Sequence, residues 1–330
     1  VKAVVIRRRG GPEVLEIVRD HPEPRVRGPH DVVVRVAAAS VNPVDTYLRA
    51  GKVPVPLRYP WILGGDACGT VEAVGSAVTR FAVGARVLGL LDYVRRPGCY
   101  AERALFRESE LVPAPDGVDD VQLAALPLVA LTAWQALIDT AGLAPGARVL
   151  IAGGGGGIGS VAIPIAKAHG AHVLVLASEA SRPECLARGA DEVIDYRDSE
   201  ALASDPRLDG LDVILDAVGG YYPKTIARLR SGGTFVTITS LADDEAYTFA
   251  NAVQHVGRLA STRVAGLFGG PRVRSVGVRP SGERLARILA LVERGALPLP
   301  AVKTMRLDEA ADAHRALETR RTKGKLVLVP

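Results

Sequence analysis

The chain has 330 residues, 48% of them hydrophobic and 23% charged, with a net charge of +5. That length favours two domains over one core, and the composition excludes a disordered or fibrous chain. No apolar run approaches the roughly 20 residues that a membrane-crossing helix needs, and the arginines cluster only in "RRR" at 7–9 and in "TRRTKGK" at 319–325, which excludes nucleic acid as the expected partner.

Cys68, Cys99 and Cys185 are far apart and form no C-x-x-C pair, so neither a disulfide framework nor a structural zinc site is encoded. The N-terminal stretch lacks the basic, apolar, then small order of a secretory signal. The expectation is a cytoplasmic protein that needs no membrane.

The first third is β-rich. "KAVVIR", "DVVVRVAAAS", "GTVEAVG", "ARVLGLL" and "YAERALF" are short and rich in Val and Leu, separated by Gly and Pro. Prolines at 113, 115 and 127 break this pattern, which places a first domain at 1–120. From residue 128 the rhythm changes. A helix-like "LVALTAWQALIDTAG" leads to the strand "ARVLIAG", the helix "SVAIPIAKAHG" and the strand "HVLVLA". Then come the helix "RPECLARG", the strands "EVID" and "DVILDAVG", the helix "YYPKTIARLR" and the strand "GTFVTIT". Apolar strands alternating with amphipathic helices predict a doubly wound parallel sheet over 121–265, an α/β fold. Residues 241–270 have no secure reading. The segment 266–330 carries a strand in "RVRSVGVR", a helix in "GERLARILALVERG", a helix in "LDEAADAHRALETRR" and a last strand "KLVLV". It completes the sheet edge and returns to the first domain.

The glycine run "AGGGGGIG" lies between the strand "VLI" and a helix, not between domains. Read as G-x-G-x-x-G it gives Gly154, Gly156 and Gly159. Such glycines allow a tight turn, close approach of backbone to a pyrophosphate, and seating of the helix on the sheet. The amides of Gly157 and Ile158 then open the helix toward the phosphates. Gly153 and Gly155 have no role in that pattern.

An NAD site normally places a carboxylate at the tip of the second strand. Here "HVLVLASEASR" ends its strand at Ala177 and Ser178. Ser178 can bond a phosphate, and the guanidinium of Arg182 can meet its charge. Tyr196 follows the third strand, within reach of the adenosine end. Together they favour NADPH. Glu179 offers the alternative of bonding the ribose if the strand runs longer. Val218, in "DAVGG", and Val276 and Val278, in "RSVGV", are placed beside the nicotinamide, and core packing explains them equally well.

"AASVNPVDTYLRAG" (38–51), "GGDACGTVEAVGSAVTRFAVGARV" (64–87), the glycine loop and the terminal "GKLVL" resemble the zinc-free quinone oxidoreductase, or zeta-crystallin-like, branch of the medium-chain dehydrogenase/reductases. The resemblance spans nearly the whole chain. It implies a GroES-like β-rich first domain, a Rossmann domain, a cleft between them and a C-terminal segment rejoining the first domain. It also implies that Ser178, Arg182 and Tyr196 contact the 2′-phosphate of NADPH. Zinc-dependent relatives carry an early Cys, a Gly-His-Glu and a four-cysteine loop. Here Asn42 stands near the first, "GGD" (64–66) replaces the second, and the third is absent, so no metal is expected.

Hydride delivery to a quinone or an α,β-unsaturated carbonyl leaves an oxygen to be stabilised or protonated. Asn42 is placed on the nicotinamide ribose or the substrate oxygen. Tyr47 is either the proton donor or a packed aromatic, Asp45 is a structural hydrogen-bonding residue, and "SVNPVDTYLR" is read as a loop. Two alternatives stay open: a polyketide or acyl-thioester tailoring enoyl reductase, and a nucleotide-binding protein without turnover. The edge strand "VRSVGVR" is compatible with a homodimer.

Overall fold

The computed structural model describes residues 1–198, 202, 204–238, 270–319 and 321–330, so the segment 241–269 lies outside the described residues. The chain divides into two units. One comprises Val1–Leu131, Arg279–Ala290 and Leu299–Pro330, and the other Thr132–Val278 and Leu291–Pro298.

The first unit is built from short antiparallel strands. They are β1 (Ala3–Ile6), β2 (Glu16–Val18), β3 (Asp31–Val41), β4 (Trp61–Ile62), β5 (Asp66–Val74), β6 (Arg86–Leu90), β7 (Arg103–Arg107) and β8 (Leu111–Pro113). A three-stranded sheet has the order β2-β1-β4. In the second sheet β3 is central. It pairs with β5 along one edge and with β7, and its valines Val32, Val34 and Val36 are buried, as β-branched residues favour on a packed pleat. Only one α-helix interrupts this run, α1 (Pro43–Ala50). "SVNPVDTYLR" is therefore not a loop. Pro43 opens the helix with its φ already set, and the Asn42 amide donates to Asp45 Oδ2 at 2.8 Å. Two bonds, Gly51 N to Leu48 O at 3.2 Å and Lys52 N to Tyr47 O at 2.9 Å, close it around Gly51 at φ +78°.

The short helix α2 (Asp120–Ala124) and the helix α3 (Pro127–Trp134) lead into the second unit, where a π-helical stretch, Gln135–Thr140, continues α3. Its six strands are β9 (Arg148–Ala152), β10 (His172–Ala177), β11 (Glu192–Asp195), β12 (Leu211–Asp216), β13 (Leu229–Thr237) and β14 (Arg272–Ser275). They lie in the order β11-β10-β9-β12-β13-β14, every pair parallel. This is the doubly wound Rossmann order, and it reverses direction beside β9, where such sheets bind ligands at the carboxyl ends of their strands. Val149, Leu150, Ile151 and Ala152 of β9 are fully buried, as a strand covered on both faces requires. The helix α4 (Gly159–Ala168) follows the glycine loop, and α5 (Arg182–Ala187) follows β10.

Three expected elements come out shorter. "YYPKTIARLR" is one helical turn, Tyr222–Thr225, then a 3₁₀ turn, with Leu229 and Arg230 already in β13. "RPECLARG" is helical only to Ala187, and "RVRSVGVR" is a strand only over Arg272–Ser275. Back in the first unit, β15 (Val302–Arg306), which sequence reading did not find, pairs parallel with β16 (Lys325–Val329). β16 pairs antiparallel with β3, so the C-terminal segment rejoins the first sheet. Among the described residues no helix is long and apolar enough to cross a membrane.

Candidate functional site

In the second unit the glycine loop joins β9 to α4. The amides of Gly153 and Gly154 both donate to Leu176 O, at 3.0 and 3.1 Å, which pins the loop to the end of β10. Each glycine has its own steric reason. A Cβ on Gly154 would stand 2.0 Å from Val175 Cγ1, and one on Gly159 would stand 2.2 Å from Gly153 O. These two are needed where loop and helix close on the sheet. Gly153 takes φ +90°, which L side chains rarely adopt, and a Cβ there would meet Val218 Cγ2 at 2.3 Å. At Gly155 a Cβ would meet Ser181 Oγ at 2.6 Å. The two glycines outside the G-x-G-x-x-G pattern thus have packing reasons. Gly156 differs, because its Cβ would meet only Gly153 O, at 3.3 Å. Gly155, Gly156 and Gly157 are exposed while Gly154 and Gly159 are buried. The arrangement is a bare main-chain cradle with its open side at Gly156. The amides of Gly157 and Ile158 donate to no carbonyl among the described residues, as at the start of any helix. A pyrophosphate fits this cradle.

Beside it lie the ends of β10 and β11, whose last residues, Ala177 and Asp195, are register partners. Ser178 caps β10, with its Oγ 3.1 Å from Ser181 Oγ. Arg182 Nη1 donates to Val193 O at 2.8 Å, while its Nε donates to both oxygens of Glu179, at 2.8 and 2.9 Å. Tyr196 is exposed immediately after β11, its amide bonded to Ala177 O. Ser178, Arg182 and Tyr196 are therefore gathered at one strand edge. Arg197 donates hydrogen bonds to both oxygens of Asp195, from Nε at 3.0 Å and Nη2 at 2.6 Å, and holds that half-buried carboxyl down at about 2.

Val218 is half exposed on the turn after β12, against Gly153. The buried Asp216 shapes that turn by accepting from the amides of Val218, Gly219 and Tyr221. Val276 donates its amide to Thr237 O at 2.9 Å, just past the end of β14, and Val278 lies beyond the ladder.

The first unit holds a second polar assembly. Asn42 is fully buried. Its Nδ2 donates to Asp66 Oδ2 at 2.9 Å and to Ser40 Oγ at 3.1 Å, and its Oδ1 accepts from the buried ammonium of Lys325. Donors and acceptors on the neighbours fix which end of the amide is which. One lone pair of Oδ1 is all that remains for a ligand. Asp66 also accepts from Ser40 Oγ and from the Leu128 amide, the latter at 2.7 Å. Burial pushes the Asp66 carboxyl up and the Lys325 amine down, with their mutual attraction opposing both.

Asp45 lies on the same assembly, fully buried, its carboxyl raised by burial to about 7 against the bonds from Asn42 and Tyr100. Its Oδ1 is buried with no hydrogen-bond partner among the described residues. From Asp45 a chain runs outward. Tyr100 Oη donates to Asp45 Oδ2 at 3.0 Å, and His314 Nε2 lies 3.3 Å from Tyr100 Oη. Arg49 Nη1 lies 3.0 Å from His314 Nδ1, and Arg49 Nη2 pairs with Glu318. Because guanidinium only donates, Nδ1 must accept, so the His314 proton sits on Nε2. Burial, then Arg49, holds the His314 imidazole down at about 3. Tyr47 is half-buried on α1, with Lys52 Nζ 5.7 Å from its ring centre.

Arg49, Asp66, Tyr100, His314 and Lys325 were not singled out as site residues from sequence. Two signals were present. Lys325 opens the otherwise apolar strand "KLVLV", and His314 occupies the apolar face of its helix with Ala310 and Ala313. Among the described residues no group of three or more His, Cys, Asp or Glu is placed to hold a metal ion.

The alcohol dehydrogenase GroES-like domain matches residues 28–116, and the zinc-binding dehydrogenase family matches residues 188–328. The chain is 36% identical to the quinone oxidoreductase of Pseudomonas aeruginosa, over 97% of each chain. It is 35% identical to the spectinabilin polyketide synthase system protein NorB of Streptomyces orinoci, over 91% of this chain and 13% of that protein. Similar solved structures include the quinone oxidoreductase of Coxiella burnetii (TM-score 0.84, 30% identity, 100% and 99% covered). Another is that of Escherichia coli complexed with NADPH (TM-score 0.82, 25% identity, 100% of each chain). With a glycine cradle on a Rossmann sheet, a GroES-like unit and this similarity over nearly its full length, the chain belongs to the zinc-free quinone oxidoreductase branch of the medium-chain dehydrogenase/reductase family and is an NAD(P)H-dependent oxidoreductase.

Proposed function

We propose that this enzyme uses NADPH to reduce a quinone or an α,β-unsaturated carbonyl compound. The observation that carries the cofactor choice is the end of β10. There Ser178 stands where an NAD site would offer a carboxylate, and the Arg182 guanidinium is tied to the backbone of β11 beside it. The E. coli structure with NADPH and the names of the quinone oxidoreductase relatives support the same reading.

The cradle around Gly156 would hold the pyrophosphate, and Ser178, Arg182 and Tyr196 the adenosine phosphate. Val218, Val276 and Val278 are proposed for the nicotinamide side. A bound reduced nicotinamide supplies a hydride, and the acceptor takes up that hydride and one proton. Tyr47 or solvent delivers the proton in this proposal. Asn42, held by Lys325, Asp66 and Ser40, fixes the start of α1 and so the position of Tyr47. We extend the proposal to a homodimer, because β14 is a sheet edge paired on one side only among the described residues. Light scattering that finds only monomers at micromolar concentration removes it.

The test is consumption of NADPH and NADH with a panel of quinones, enones and carrier-bound enoyl thioesters. The expected result is turnover of quinones or enones with a higher kcat/KM for NADPH. NADH equal to or better than NADPH overturns the cofactor choice. Similarity to NorB gives a second reading, a tailoring enoyl reductase, and turnover confined to the thioesters selects it. Tight NADPH binding with no acceptor reduced overturns both readings in favour of a nucleotide-binding protein.

A further inference from the structure

We infer that Glu179 is a specificity-determining residue that competes with the cofactor's adenosine phosphate for Arg182 and so limits the preference for NADPH. The inference rests on the proposed adenosine-phosphate subsite. The Arg182 guanidinium is held in place by the Val193 carbonyl, a backbone atom of the neighbouring strand, whatever Glu179 does. Its Nε–H is shared between both oxygens of the Glu179 carboxylate, at 2.8 and 2.9 Å. A planar guanidinium binds a phosphate best through two parallel N–H bonds, and the Nε side of that fork is already taken.

The surrounding charge gives no surplus to a dianion. Asp195 neutralises Arg197 as Glu179 neutralises Arg182, so the two carboxylates and two guanidiniums at this edge cancel. A 2′-phosphate therefore gains Arg182 fully only when the Glu179 side chain leaves. NADH, with a plain ribose hydroxyl at that position, makes no such demand. Glu179 is well exposed, so the carboxylate has water to move into and its replacement does not threaten the fold.

The test is fluorescence titration of NADPH and NADH, with 2′,5′-ADP and 5′-AMP as competitors, at one ionic strength, on the parent protein, Glu179→Gln and Arg182→Ala. An exposed pair of this kind is worth a small factor, so Glu179→Gln should tighten NADPH and 2′,5′-ADP about two- to fivefold. NADH and 5′-AMP should change less. Arg182→Ala should weaken NADPH and 2′,5′-ADP selectively. If Arg182→Ala does so but Glu179→Gln leaves NADPH unchanged or weaker, Glu179 is no competitor and the subsite stands. If Glu179→Gln weakens NADH alone, Glu179 serves the ribose and the inference is wrong. If Arg182→Ala affects both cofactors equally, the subsite itself is wrong and the inference falls with it.

Discussion

At the scale of single residues, the glycine loop separates two reasons for having no side chain. Gly154 is enclosed by protein, with Val175 and Cys185 Sγ where a Cβ would go, whereas a Cβ on the exposed Gly156 would meet only Gly153 O, at 3.3 Å. Gly154→Ala should therefore destabilise the fold by about 1–3 kcal/mol, the usual cost of overpacking, as read by urea midpoint. Gly156→Ala should move the midpoint far less than Gly154→Ala and weaken NADPH binding at least about tenfold, since the methyl would stand on the open side of the cradle proposed for the pyrophosphate. Equal effects of the two changes on stability would contradict this division. The G-x-G-x-x-G pattern was legible because it is local. The packing of Gly153 on Val218 and of Gly155 on Ser181 was not, because those neighbours come from other strand ends.

Among the elements, α1 shows how punctuation can be misread. "NPVDTYLRAG" holds an N-terminal Pro43, an Asp three residues after Asn42 and a closing glycine, the full set of helix start and stop signals. Its eight residues are short, and a buried Arg49 and Asp45 obscure the apolar face. Gly51 closes the helix in the left-handed region, and a Cβ there would stand 2.5 Å from Arg9 Cδ. Gly51→Ala should cost about 1–2 kcal/mol from the backbone alone, seen as a lower melting temperature. A variant as stable as the parent would show that Gly51 is not the strained closure described. β15 was missed for a different reason: "VKTMR" is mostly polar and exposed, so the strand exists by pairing with β16 rather than by burial.

The whole molecule carries two buried groups whose protonation opposes. His314 is held down at about 3 from 6.5, so the unfolded chain binds its proton more readily, and its contribution is lost as pH falls from 6.5 towards 3. Asp45 is raised from 3.8 to about 7, so the folded chain keeps the proton, and its contribution is lost as pH rises from about 4 through 7. Between pH 4 and 6.5 the two slopes oppose. Urea unfolding across this range should show His314→Gln losing less stability on acidification than the parent, and Asp45→Asn losing more. Parallel profiles for all three proteins would mean that neither group titrates with folding.

The sequence by itself determined the alternating strands and helices of the parallel sheet, the order in which they come and the glycine bend proposed for a nucleotide's phosphates. Those features depend on residues within one turn or one strand of each other, and their spacing is visible along the chain. Only the tertiary structure decided the buried assembly of Asn42, Asp66 and Lys325, the chain from Asp45 to His314, and the docking of Arg182 on the Val193 carbonyl of the neighbouring strand. Asn42 and Lys325 are 283 residues apart. A charge that far along the chain finds its partner only when sheet register brings β16 against β3, and neither composition nor periodicity encodes that meeting.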